Sequence, residues 1–308
     1  MASQTTSGSL PARQPFAVQR GLLGAVRVIT RFATRQPLGF AGGAIVTVFV
    51  FLAIFADVVA PYDPHAIDLR ARLQGPSSAH WLGTDQVGHD VLSRLIYGAR
   101  LSLMIGFGAV IISSSIATVL GLLSAYIGGW LDTIMQRFID AWIALPDLVI
   151  LITFAGIVRR IPDANMIMAL LFALAFLRIA PATRLIRSVV LELRGRPFIE
   201  AAESAGATPL RAMVQHVLPN VFPLIFITAT VALPGAILAE AALSFLGLGP
   251  AGEASWGQML SVDGRDFFRR QPGLAIWPGV AIALSVFGFN MFGDALRDIL
   301  DPRLRGRR

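Results

Sequence analysis

LSLMIGFGAVIISSSIATVLGLL, residues Leu101–Leu123, is the stretch that decides the fold. It carries no charged side chain. A helix needs about 20 apolar residues to cross the hydrocarbon core of a bilayer. Five more stretches of this kind flank it: Leu38–Ala60, Trp142–Val158, Ala164–Arg184, Val221–Leu246 and Leu274–Leu296. The third is short and is expected to begin before Trp142. The reading is an all-α integral membrane protein with six transmembrane helices, since the short alternating segments of a spanning β-barrel are missing.

Composition supports this. Of the 308 residues, 55% are hydrophobic and 15% charged, with a mean hydropathy of +0.67. Soluble domains carry about 25% charged residues. A disordered chain, a coiled coil and a nucleic-acid-binding tail protein are excluded. There is no Cys, hence no disulfide framework, thiol nucleophile or Cys-ligated zinc. There is also no Lys; all 26 basic residues are Arg. A nucleotide-binding P-loop needs its Lys, and Schiff-base and Ser-x-x-Lys chemistry need one too.

The arginines set an orientation. With the N-terminus in the cytoplasm, 16 lie on inner segments and 9 on outer ones, and Arg178 lies inside the fourth span. Positive residues favour the cytoplasmic side, so both termini are expected inside. The first span is too long for a signal peptide core and is read as uncleaved. The expected organisation is a cytoplasmic tail over 1–37, a spanning domain over 38–300 and a cytoplasmic tail over 301–308. Within the domain, loops 61–100 and 247–273 lie outside and loop 185–220 inside. No internal repeat is visible.

The inner loop reads RPFIEAAESAGATPLRAMVQHVLPN, Arg196–Asn220. Pro197 suits the first position of a helix, and the Ala/Glu run has high helix propensity. Gly206 ends that helix. Thr208 and Pro209 then cap and open a second one, which Leu218-Pro219 is expected to end before the fifth span. Its apolar residues serve equally well a connector lying on the membrane or a docking element for a cytoplasmic partner.

Glu200-Ala201-Ala202, three residues, Gly206, nine residues and a Leu218-Pro219 close resemble the EAA motif of ABC-importer permeases. That resemblance implies a coupling helix seated in a groove of an ATPase subunit, with Leu210 and His216 on the same element. His216 departs from the family pattern, which usually has Ile there; a His makes docking more polar. The outer stretch Leu82-Gly-Thr-Asp85-Gln-Val-Gly88-His89-Asp90 is similar to a signature of the "C" permeases of dipeptide, oligopeptide and nickel importers, with His89 in place of Arg. A helix is expected to start near Gln86, capped by Thr84 or Asp85. Further matches are Ala239–Gly249, Trp256–Met259 and Asn290–Pro302. The resemblance runs from about residue 37 to 305.

The family resemblance implies a type I (MetI-like) importer permease fold in the bacterial inner membrane. It also implies a second homologous permease, two cytoplasmic ATPases and an extracytoplasmic substrate-binding protein. ATP and Mg would sit on the ATPases, so this chain has no catalytic residue and no cofactor of its own. Di- or oligopeptides are the expected substrate; nickel chelates, glutathione or oligosaccharides fit the same architecture. The rival is a stand-alone carrier, which needs its own coupling-ion site.

His80, Asp85, His89 and Asp90 invite a metal site, but their spacing forces no convergence, and helix capping accounts for them. Gly247-x-Gly249-x-x-Gly252 follows a spanning helix rather than a strand, so it is no dinucleotide fingerprint. Ionisable and polar groups inside spans demand a role. Glu240, Asp147 and Asn290 either bond between helices or face a translocation path. Arg178 is expected to snorkel to the inner face.

Overall fold

The computed structural model describes residues 33–34 and 36–300; the expectations for most of the N-terminal tail and for residues 301–308 lie outside them. Among the described residues the chain is helical, with one isolated β-bridge between Thr84 and Asp90.

Helix α1 (Pro37–Ile54) opens with proline at its first turn and is followed by a short α2 (Ala56–Val59). Small residues let α1 approach the last helix closely. A Cβ on Gly42 would fall 2.7 Å from Cβ of Met291, and one on Gly288 2.8 Å from Cγ2 of Ile45. Such small-residue contacts are how helices associate where water supplies no hydrophobic drive.

Helix α3 (Val91–Ile127) has 37 residues, far more than a bilayer requires. It starts at Val91, not near Gln86. Asp90 is the cap, its carboxylate accepting from the Ser93 N–H at 2.8 Å and the Ser93 hydroxyl at 2.8 Å. Asp85 is occupied elsewhere: one oxygen accepts from the N–H groups of Val87 and His89, both at 2.9 Å. That closes a turn and leaves residues 84–90 outside the helix.

The third span differs most from expectation. Helix α4 (Gly129–Ile143) and helix α5 (Asp147–Val158) are bent by 83° at the break between them. The apolar run from Trp142 therefore joins the end of one helix to the whole of the next. Pro146 opens α5, and the backbone before a proline avoids the helical region. Two ion pairs hold α4 against helix α6 (Met166–Arg194): Arg187 bonds Asp132 at 2.5 Å, and Arg184 bonds Asp140. Among the described residues, five helices are long and apolar enough to cross a membrane, or six if the bent pair counts as one span.

Helix α7 (Pro197–Ser204) and helix α8 (Pro209–Ala212) make the loop between the fourth and fifth spans. A π-helical turn, Met213–Val217, joins α8 to helix α9 (Leu218–Phe245). Pro219 therefore does not stop the second short helix. A proline inside a regular helix clashes with the carbonyl four residues back. The wider turn, in which the Leu218 N–H bonds the Met213 carbonyl, gives that ring room and lets the helical path run on. Asn220 Nδ2 takes up the His216 carbonyl at 2.6 Å.

After α9 come a short α10 (Trp256–Met259), a π-helical turn at Leu260–Gly264 and helix α11 (Gly273–Leu300). The indole of Trp256 is fully buried and donates to the Leu95 carbonyl at 2.9 Å. Gln271 Nε2 donates to the Gln74 carbonyl at 2.7 Å. Segments 61–90 and 247–272 thus meet at the Val91 end of α3. The α7–α8 elements pack at its Ile127 end, where Ile199, Met213 and Val217 join Leu122, Ile186 and Val190 in a buried cluster.

Candidate functional site

The α7–α8 elements divide their apolar residues between two faces. Ile199, Met213 and Val217 point into the bundle. Phe198 (42% exposed), Leu210 (66%) and Val214 (47%) point away from it. An apolar face of this kind, presented on a braced helical pair, suits insertion into a partner's groove. Glu200, Ala201, Gly206 and Pro219 are exposed, while Ala202, His216 and Leu218 are half-buried.

The bend is set by the backbone. Gly206 has φ +89°, which an L side chain rarely adopts. Its N–H bonds the Glu203 carbonyl at 2.9 Å, and the Ala207 N–H bonds the Ala202 carbonyl at 3.0 Å, closing the end of α7. The Thr208 hydroxyl caps α8 by accepting from the Arg211 N–H at 3.4 Å.

Sequence reasoning assigned no role to the tie that holds this pair to α3. The Tyr126 hydroxyl donates to Oε1 of Glu203 at 2.6 Å. The Arg194 guanidinium lies 5.6 Å from the centre of the Tyr126 ring, a cation–π distance. The two bonded residues are 77 positions apart. The only local signal is a tyrosine closing an apolar run beside acidic and basic residues.

The candidates within the spans separate. Glu240 is fully buried. Its carboxylate accepts from Ser102 Oγ at 2.9 Å and Ser244 Oγ at 2.8 Å, tying α9 to α3. These bonds are of the kind the helix-bonding alternative expects. Asp147, at the start of α5, and Asn290, on α11, are both exposed. The Arg178 guanidinium lies over Gly235 of α9.

At the other end, His80, Asp85, His89 and Asp90 resolve into two pairs. His80 Nδ1 stands 2.9 Å from Asp90, and His89 Nδ1 2.7 Å from Asp85. Arg94 also bonds Asp85. Burial opposes ionisation of Asp85, but the Arg94 charge, the Val87 N–H and His89 outweigh it and hold the carboxyl below its ordinary range. These groups lock segment 61–90 onto the start of α3.

Residues 117–306 match the family model described as binding-protein-dependent transport system inner membrane component. Residues 27–76 match that of the N-terminal TM domain of oligopeptide transport permease C. The chain is 40% identical to the dipeptide transport system permease protein DppC of Alkalihalophilus pseudofirmus, over 88% of each chain. It is 37% identical to the probable D,D-dipeptide transport system permease protein DdpC of Escherichia coli, over 88% of this chain and 90% of that one. In fold it resembles the methionine ABC transporter MetNI in an inward-facing conformation, with a TM-score of 0.56 at 18% identity, over 68% of this chain and 96% of that chain.

Proposed function

Because this chain belongs to the family of binding-protein-dependent transport system inner membrane components, we propose that it forms half of the translocation pore of an ABC importer for di- or oligopeptides. Relatives named for dipeptides and D,D-dipeptides support that substrate class. Such cargoes share peptide bonds and free carboxylates. A second homologous permease completes the pore, two cytoplasmic ATPases bind ATP and Mg, and an extracytoplasmic binding protein delivers substrate. The chain itself catalyses no reaction. Both termini lie in the cytoplasm, on the side of α7 and α8.

The observation that carries the coupling role is the outward face of Phe198, Leu210 and Val214, held by a backbone bend at Gly206 and braced from behind by Ile199 and Met213. Closure of the ATPase dimer on ATP pushes on that face. The bundle then moves as a body between inward- and outward-facing states. Asp147 and Asn290, exposed on this chain, line the path between the two permeases.

The test is reconstitution of this chain with its partner permease, ATPases and binding protein in proteoliposomes, followed by ATP-dependent uptake of a labelled dipeptide. Uptake that needs ATP and the binding protein is expected. Uptake of a nickel chelate, glutathione or an oligosaccharide instead would keep the architecture and replace the substrate. Failure of the solubilised permease to bind any ATPase would remove the coupling role.

A further inference from the structure

Arg178 lies 12 residues into α6, about 18 Å from its first residue at 1.5 Å per residue. Its neighbours on that helix are accounted for. Arg184 pairs with Asp140, Arg187 pairs with Asp132, and Arg194 stacks on Tyr126. Arg178 has no carboxylate within ion-pairing distance among the described residues. A charge at this depth is costly, and such arginines pair with something.

The guanidinium occupies a built notch. Gly235 of α9 has no side chain, and a Cβ there would stand 3.3 Å from Cζ of Arg178 and closer still to Nη2. Pro234 precedes it within α9, and Pro181 lies three residues beyond Arg178 within α6. Side chains on a helix lean toward its N-terminus. Here that is the end nearer segments 61–90 and 247–272, away from the cytoplasmic interface where an arginine could be hydrated. The residue is half-buried, so the charge is not sealed inside this chain.

We propose that Arg178, seated in the Gly235 notch, binds the free carboxylate of a peptide substrate as it passes through the membrane. The proposal rests on the peptide-importer reading above. A guanidinium presents a rigid planar fork that matches a carboxylate with two parallel hydrogen bonds. Away from water that pair is far stronger than at a surface. The carboxylate end is common to peptides of any side-chain composition, so one arginine serves a mixed cargo.

The test uses the complete assembly in proteoliposomes and compares ATP-driven uptake of labelled dialanine with that of its C-terminal amide. The binding protein's own preference is the same for every permease variant and cancels from the comparison. Arg178→Gln is expected to lower the acid-to-amide uptake ratio at least tenfold, and Arg178→Lys, which keeps the charge but loses the fork, to lower it by less than Arg178→Gln does. Gly235→Ala, whose methyl group displaces the guanidinium, is expected to lower the ratio in the same direction, and it decides the matter if Arg178→Gln fails to assemble. An unchanged ratio overturns the proposal, whether both uptakes fall together or neither does; a carboxylate from the partner permease pairing with Arg178 gives that result. Uptake of neither peptide by the unmodified assembly instead overturns the peptide-importer reading itself.

Discussion

Replacing Gly206 tests the docking role through backbone geometry alone. The residue has φ +89°, and nothing stands within 4 Å of where its Cβ would be. A methyl group there meets no clash within the chain, so Gly206→Ala is penalised only by the left-handed backbone, about 1–2 kcal/mol. If the ATPase recognises the bend as it stands, that cost is charged against docking. The expected loss of affinity is then about 5- to 30-fold. Asn tolerates this backbone region better than Ala, so Gly206→Asn is expected to lose less despite its larger side chain. The assay is titration of the ATPase against the permease pair in lipid nanodiscs, with transport per ATP hydrolysed as a second readout. Affinity of the Ala variant within twofold of the parent would refute the reasoning. So would an Asn variant weaker than Ala, because side-chain bulk rather than backbone strain would then be the determinant.

Three further outcomes are expected. Glu240→Ala deprives Ser102 and Ser244 of their acceptor and leaves a cavity; at about 0.6–2 kcal/mol for the one interhelical bond, that to Ser102, it should lower the melting temperature of the solubilised complex, with Glu240→Gln falling between it and the parent. Tyr126→Phe and Glu203→Ala should each lower transport per ATP hydrolysed, and together lower it no further than the worse of the two, because each removes the same bond; additive losses would mean that the tie plays no part. For Asp85 the carboxyl is held below its ordinary value of 3.8 in the folded loop, so its contribution is complete above that value and fades as pH falls through the lower, folded one. Hydrogen exchange in residues 61–90 should therefore show a difference between the parent and Asp85→Asn that is constant above about pH 5 and shrinks below pH 4; a difference that grows on acidification would reverse the assignment.

Much of the fold was legible because a spanning helix is a long apolar run, and such runs are local. What failed to read had partners far along the chain. The apolar stretch from Trp142 looks like one span, and Pro146 is visible within it. The 83° bend is upheld by ion pairs to arginines that sequence counted only as orientation signals. Thr84 and Asp85 looked like the helix caps. Asp90 takes that role because Asp85 is engaged by Arg94 and His89. Pro219 looked like a stop, and a π-helical turn accommodates it, since local propensity cannot report how a backbone widens around a ring. In the candidate site, Gly206 and Thr208 were readable from turn and cap chemistry. The partition of Phe198 and Leu210 outward from Ile199 and Met213 inward was not, because it depends on which side α3 and α6 cover.

The length of α3 has a mechanical consequence. One uninterrupted helix of 37 residues, about 55 Å at 1.5 Å per residue, touches segment 247–272 near its start and the α7–α8 pair at its last turn. It can act as a rocker arm. A tilt of roughly 10° about its midpoint would swing each tip by about 5 Å, close to one helical turn, and in opposite directions. A push delivered at the α7–α8 end would thus arrive at the Val91 end inverted and undiminished.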